Sequence, residues 1–474
     1  MALKLALDTF LHPDEFVPVV QMILSDQRAK IAPKEPGRRF CYEQLNRVSR
    51  SFAIVIQKLP VELRDPVCVF YLVLRALDTV EDDMNIAKSI KVPLLRTFCD
   101  IIYDRSWSMD CGDAKYRTLM MQYPLVTQVF LSFTPGEKKV ITDITRRMGN
   151  GMADFIDEGI PPTIADYDLY CHYVAGLVGI GVTELFVESG LESPSLLEEE
   201  GLSNHMGLFL QKTNIIRDYL EDINEEPAPR MFWPKEIWGK YANSLEDFKK
   251  PENRVAALKC LNHMVTDALR HGVFSLDYMA KVRDPRIFEF CAIPQAMAFA
   301  TLSLCYNNPK VFQGVVKQRR GQAAKMMRFM KDMPALYRCF RDLAEKMEAR
   351  CRTETCNDPS VAITLEHLRA IKHACISGLA DSNLVSWDQH FTRYFSILFI
   401  LSFLFPFHGK FTGMCACPSN LSLLLAGGVL ILAVVFSAKD VPLPVIQQLL
   451  AICVFIAALV SYLQPLAWPR PVTA

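Results

Sequence analysis

The chain reads as an all-α protein, and three observations in its 474 residues predict this. From Phe40 to about Ala380 there is no sustained alternation of apolar and polar residues. Long amphipathic segments with 3.6-residue periodicity fill that span instead. Pro, Gly and charge clusters separate them at 60–66, 104–113, 134–137, 159–166, 190–203, 224–234, 249–254 and 283–285. The pattern predicts an all-α domain of roughly a dozen helices.

Composition narrows the function class. Lys+Arg and Asp+Glu are both 52, so no polyelectrolyte character points to nucleic acid. Hydrophobic residues make up 51 %, high for a soluble protein, and the excess lies at one end. The 15 cysteines show no CxxC or zinc-type Cys/His spacing, and no HExxH is present. They read as buried reduced thiols of a chain facing the cytosol, with Cys415 and Cys417 too close together to hold a metal alone.

Taken in order, residues 1–36 form a lead-in closed by Pro33, Pro36 and Gly37. Its first 16 residues carry Asp8, Asp14 and Glu15 and no long apolar core, so no secretory signal is expected. The helical domain is placed at 37–382. Its first informative helix carries Asp78, Glu81 and Asp82, and a second copy of the pattern carries Asp218, Glu221 and Asp222. If both stretches are helical, acids at i, i+3 and i+4 share one face. Tyr71 and Arg75 extend the first polar stripe upstream, and Gln211 and Asn214 extend the second. One such motif is commonly a solvated helix face. Two copies on helices this apolar point into a cavity instead, where neighbouring carboxylates repel unless cations lie between them. Oxygen-only acid clusters suit Mg²⁺, which binds through a few carboxylates plus substrate phosphates.

Between the two motifs, Tyr170 to Gly181 contains Gly176, Gly179 and Gly181, and Met148 to Ala153 contains Gly149 and Gly151. Glycine inside a helix costs up to about 1 kcal/mol. It is tolerated for close helix packing or to leave room for a bulky ligand, and the second use is expected here. Fixed cations for a phosphorylated ligand are sought in Arg50, Arg75, Arg217, Arg230, Lys317 and Arg319; taken singly each is more often a surface charge, except Arg75, whose helical stripe already points toward the acids. Neither a P-loop nor a strand-linked GxGxxG is present.

After Asn383 the character changes. Tyr394–Phe407, Leu421–Phe436 and Leu443–Leu463 are apolar runs of 14, 16 and 21 residues. A bilayer core needs about 20. The expectation is a linker at 383–420 with an interfacial segment, a membrane anchor of one span or a hairpin at 421–463, and a short tail at 464–474.

Paired acid clusters, an apolar cavity and no Ser-His-Asp arrangement suit one reaction type. Metal ions draw diphosphate away as a leaving group, and the resulting carbocation is protected from water by oily walls. Tyr71, Tyr170 and Tyr173 are the candidate proton-handling groups. Phe288 and Phe290 can face a cation through their rings or serve as ordinary core aromatics.

Val69–Asp83, Tyr170–Gly181, Gly207–Asp222, Phe232-Trp233-Pro234 and Phe290–Gln295 together resemble the squalene synthase (farnesyl-diphosphate farnesyltransferase) family. The similarity runs in order from about 38 to 330. It implies the isoprenoid (terpenoid) synthase fold and a two-step reaction. In the first step Mg²⁺ held by both motifs ionises one farnesyl diphosphate, a second adds, and proton loss closes the cyclopropane of presqualene diphosphate. In the second step that intermediate rearranges and takes hydride from NADPH to give squalene. By position the resemblance puts Asp78, Glu81, Asp82, Asp218, Glu221 and Asp222 on the metals. It puts Arg50, Tyr71, Arg75 and Arg230 on diphosphate, Tyr170 on the first step and Phe290 on the second. Asn214, Lys317, Arg319 and, on a looser alignment, Lys115 match positions implicated in NADPH binding. The acidic insertion from Ile223 to Pro229 makes Arg230 the least secure of these. An enzyme anchored in the endoplasmic reticulum membrane is implied, with a cytosolic and monomeric catalytic domain and the first committed step of sterol synthesis as its role.

Overall fold

The computed structural model describes residues 12–29, 33–156, 159–226, 229–354 and 357–381. The expected linker, anchor and tail lie outside them. No strand occurs among the described residues, as the periodicity predicts. Helical segments outnumber the expected dozen because several are single turns and others are broken at kinks.

The chain divides into two compact units. The larger comprises Ala29–Arg319 and Met326–Leu384. The smaller comprises Met1–Arg28, Arg320–Lys325 and Val385–Ala474, of which 12–28 and 320–325 are described. Within the smaller unit Lys325 donates to Asp14 at 2.5 Å and Gly321 packs on Glu15. This pairing joins segments far apart in the chain, and no local pattern could have signalled it.

In the larger unit the helices that position the site are α1 (Val61–Asp82), α2 (Pro135–Phe155), α3 (Ile164–Cys171), α4 (Leu177–Glu188) and α5 (Glu200–Arg217). They are followed by α6 (Tyr219–Ile223), α7 (Arg254–Leu269), α8 (Gly272–Lys281) and α9 (Pro285–Cys305). α5 is the hub, packed on α4, α7, α8 and α9. α1 is buried along most of its length, with Leu72, Val73, Ala76, Leu77 and Val80 fully enclosed. Beyond its first turns, only Tyr71, Arg75, Asp78, Glu81 and Asp82 keep partial exposure, and these five line the cavity. Thr134 and Thr163 start α2 and α3 with reciprocal capping boxes to Glu137 and Asp166.

α3 and α4 are one helix interrupted by a π-turn at His172–Gly176. Its extra residue widens the helix beside the cavity, a device common at functional sites. Gly179 and Gly207 border the cavity, as expected, and they also serve close helix packing. A Cβ on Gly207 would run into the Ala175 carbonyl, and one on Gly179 into the Ser203 carbonyl, so α4 and α5 pack backbone to backbone. Gly207→Ala is therefore expected to destabilise the protein by about 1–3 kcal/mol, the usual cost of overpacking. A melting temperature within about 1 °C of wild type would contradict that packing.

α5 is also tied by charge. Lys212, fully buried, donates to Asp168 of α3 at 2.5 Å and to Asp267 of α7, and Arg270 joins the same two acids. A buried ion group of this kind fixes helix register rather than adding much stability. Ile164–Glu188 and Pro285–Cys305 are long and apolar enough to cross a bilayer, yet both form inner walls of this unit.

Candidate active site

A cavity of about 470 Å³ opens between α1, α3, α4, α5 and α9, within the usual range for ligand pockets. Its walls are apolar, with Phe70, Leu74, Val174, Val178 and Leu210 among them. At one end it gathers Asp78, Glu81, Asp82, Asp218 and Asp222 with Arg75, Arg217 and Arg230. Five carboxylates thus meet three guanidiniums.

The two acid motifs face each other across Arg230. Its guanidinium donates to Glu81 at 3.0 and 3.1 Å and to Asp82, while its own backbone N–H donates to the Asp222 carbonyl at 3.0 Å. Arg230 was the least secure expectation, and it is placed by contacts to both motifs. Arg75 pairs with Asp78 one turn along α1, and Arg217 grips Asp218 with two bonds at 2.5 and 2.7 Å. Lys91, buried, donates to the Glu81 backbone carbonyl at 2.7 Å and so closes the end of α1.

Burial dominates the electrostatics. It lifts Asp78 to about 6 against the pull of Arg75, raises Glu81 well above the carboxylate range, and with Asp218 and Glu225 lifts Asp222 to about 7. Asp78 and Glu81 still keep 25 % and 12 % of their side-chain surface, because what they touch is the cavity itself. Oxygen atoms of Asp78, Glu81 and Asp82 all lie within 4.8 Å of one another. An oxygen-only cluster that resists its own charge fits a divalent hard cation such as Mg²⁺.

A pH dependence follows from those directions. Folded acids with raised pKa hold protons that the unfolded chain releases near pH 4, so their stabilising contribution is present at low pH and is lost as pH rises through about 6 to 7. Protein kept in chelator is expected to melt at lower temperature at pH 8 than at pH 5.5, with the difference reduced in Asp222→Asn. An unchanged slope in that variant would contradict the assignment. Mg²⁺ affinity should run the other way and rise with pH over the same range.

Not every expected residue reaches the cavity. Tyr71, Tyr170, Asn214 and Phe290 line it. Phe288 does not; it is 4 % exposed and belongs to the core, since two residues along α9 turn a side chain through about 200°. Glu221 is exposed and outside the lining. The second motif is not one continuous helix: α5 ends at Arg217, Asp218 takes φ −92° and ψ 9°, and α6 restarts at Tyr219. Asp218 and Asp222 line the cavity, while Glu221 stands outside it. Lys115, Lys317 and Arg319 are exposed and also outside the lining. The Arg50 side chain lies outside the described residues, and the Tyr173 ring packs on Gly151 and Phe155 rather than lining the cavity.

Tyr170 is 5 % exposed and sits just before the π-turn. Its ring stacks on Phe232 at 4.4 Å and 12°, with Phe155 edge-on at 5.5 Å. The Arg230 guanidinium lies 5.6 Å over the same Phe232 ring. Burial and the nearby Glu81, Asp82 and Asp78 charges push the phenol well above its ordinary value, with Arg230 opposing. Phe232 had no functional signature in the sequence, because its partner Tyr170 is remote along the chain.

A family profile described as squalene/phytoene synthase matches residues 45–322, more than half of the chain. The chain is 62 % identical to squalene synthase BSS of Botryococcus braunii over 399 residues, covering 83 % of this chain and 87 % of that one. It is 57 % identical to lycopaoctaene synthase of the same organism over 378 residues, covering 80 % and 85 %. A solved ligand complex of TcSQS superposes with a TM-score of 0.70 at 46 % identity, covering 72 % of this chain and 99 % of that one. The chain therefore belongs to the squalene/phytoene synthase family and is a prenyltransferase.

Proposed function

We propose that the chain joins two molecules of farnesyl diphosphate head to head and reduces the product to squalene. The observation that carries this reading is the convergence of both acid motifs and three arginines on one end of an apolar cavity. Asp78, Glu81, Asp82, Asp218 and Asp222 would hold Mg²⁺, whose chemistry there is to neutralise the departing diphosphate. Arg75, Arg217 and Arg230 hold and orient the diphosphate oxygens, and the apolar walls exclude water from the allylic cation. Tyr170 stands beside the acid cluster where a proton must leave, and Phe290 offers its ring to positive charge in the second step. NADPH supplies the hydride of that step. Asn214 faces the cavity where it can reach such a ligand, whereas Lys115, Lys317 and Arg319 would act from outside the lining. Residues 421–463 would anchor the chain in the endoplasmic reticulum membrane with the catalytic unit, 37–382 as read from sequence, facing the cytosol as a monomer.

The test is the full chain in detergent with labelled farnesyl diphosphate and Mg²⁺, with and without NADPH. Squalene that forms only with NADPH is expected. Product stopping at presqualene diphosphate, or a phytoene-type hydrocarbon regardless of NADPH, would overturn the second step. Incorporation of a different prenyl diphosphate in preference to farnesyl would overturn the substrate; a relative at 57 % identity is named for another product, which makes that arm worth running.

A further inference from the structure

Arg75 is the only cavity arginine clasped between two aromatic rings among the described contacts. Its guanidinium lies 5.8 Å from the Tyr71 ring, one turn back on α1, and 5.5 Å from the Tyr116 ring. Tyr116 belongs to no helix that lines the cavity and to neither acid motif. It comes from the connection after Ile101, and the way that connection is tied down is specific. Asp83, the last acid of the first motif, does not turn toward the cluster of Asp78, Glu81 and Asp82. One of its oxygens accepts the Gly112 backbone N–H at 2.7 Å, and the other accepts from Asn85 at 2.9 and 3.1 Å. Gly112 has φ +80°, a backbone setting that favours glycine, and a Cβ there would strike the Thr79 methyl. Arg47 fixes the far side of the same connection, donating to the Ala114 carbonyl at 2.7 Å and to Thr118 at 2.8 Å. Lys115 then lies 4.8 Å over the Tyr116 ring and 3.2 Å from its hydroxyl.

We infer that Tyr116 is a positioning residue for diphosphate: held in place through Asp83 and Gly112, its ring closes on Arg75 and keeps the guanidinium aimed at the site where the leaving group sits. The inference rests on the reading of the cavity as a prenyl diphosphate site, and it concerns binding rather than the identity of the product. Arg75 needs such a holder. Its ion-pair partner Asp78 is one of the cation-binding acids, so the charge that restrains the guanidinium is shared as soon as the cluster fills. A ring face restrains a guanidinium without competing for metal, and it leaves the N–H fork free to bond oxygen.

The test uses the full chain in detergent and reads inorganic diphosphate binding in the presence of Mg²⁺ by calorimetry, alongside KM and kcat for farnesyl diphosphate. Tyr116→Leu removes the π face at similar bulk and is expected to weaken diphosphate binding, and to raise KM, by about three- to tenfold with kcat within twofold of wild type. Tyr116→Phe keeps the ring and is expected to match wild type, which excludes the hydroxyl and its Lys115 contact as the cause. On an Arg75→Lys background, Tyr116→Leu is expected to add less than twofold, since the planar partner is gone. Asp83→Ala is expected to weaken diphosphate binding in the same direction without lowering Mg²⁺ affinity measured alone. Unchanged binding in Tyr116→Leu, an equal loss in Tyr116→Phe, or full additivity with Arg75→Lys would each overturn the inference. A chain that makes no squalene yet shows this pattern of diphosphate binding would defeat the proposed reaction and leave the role of Tyr116 standing.

Discussion

Asp78→Ala is expected to lower turnover of farnesyl diphosphate by at least about 10³-fold, a loss near 4 kcal/mol of transition-state stabilisation, while the protein stays folded. The size follows from where charge develops. As the carbon–oxygen bond of the substrate breaks, negative charge grows on diphosphate at the end of the cavity where Asp78, Glu81 and Asp82 gather. Removing one of three clustered oxygens weakens cation binding there and with it the interaction that strengthens most in the transition state. The fold should survive because Asp78 is a burden on the protein without its cation. Burial lifts it to about 6, so its charged form is disfavoured where it stands. Asp218→Ala, on the opposite motif, is expected to act in the same direction. Circular dichroism and melting temperature establish that each variant is folded, and Mg²⁺-dependent binding of inorganic diphosphate should fall with activity. Wild-type rates in either variant would refute the assignment of the acids to metal.

The all-α class and the inward stripe of α1 were legible because helical periodicity is a local property of sequence. Tyr71, Arg75, Asp78 and Asp82 fall on one face whatever surrounds them, and only a cavity explains that face on a helix whose other sides are enclosed. The second motif was legible in composition but not in geometry. A single backbone change at Asp218, with ψ near 9°, separates α5 from α6, and Glu221 stands exposed outside the cavity lining. No residue type there signals a break. The packing role of the glycines was not legible because one sequence pattern serves two purposes. Gly179 and Gly207 answer to each other's helices, and neither shows its partner in its own neighbourhood. The groups that finish the site were beyond sequence reasoning for the same reason. Lys91 on the Glu81 carbonyl and Phe232 on Tyr170 are contacts between segments that lie apart in the chain. Arg230 is the instructive exception. It lies just after an acidic insertion that obscured its alignment, yet its guanidinium reaches Glu81 and Asp82 while its backbone N–H is held by the Asp222 carbonyl.

Tyr170→Phe should separate the two halves of the proposed reaction. Closing a cyclopropane from the first cation requires loss of a proton, and a positioned acid–base group typically contributes about 10²- to 10⁴-fold to such a step. The substitution keeps the ring, its stack on Phe232 and its edge contact with Phe155, so packing is preserved and the only group lost is the hydroxyl. Without cations the phenol is held well above its ordinary range by burial and by Glu81, Asp82 and Asp78. Cations held by Asp78, Glu81 and Asp82 would offset the second of these causes and so would favour proton transfer at the hydroxyl. Presqualene diphosphate formation from farnesyl diphosphate is therefore expected to fall by about 10²-fold or more. Conversion of supplied presqualene diphosphate to squalene, in which no such proton leaves, is expected to change by less than about tenfold, under 1.4 kcal/mol. Single-turnover measurements on each half decide it. An equal loss in both halves would assign Tyr170 to general architecture, and no loss in either would place the proton's acceptor elsewhere.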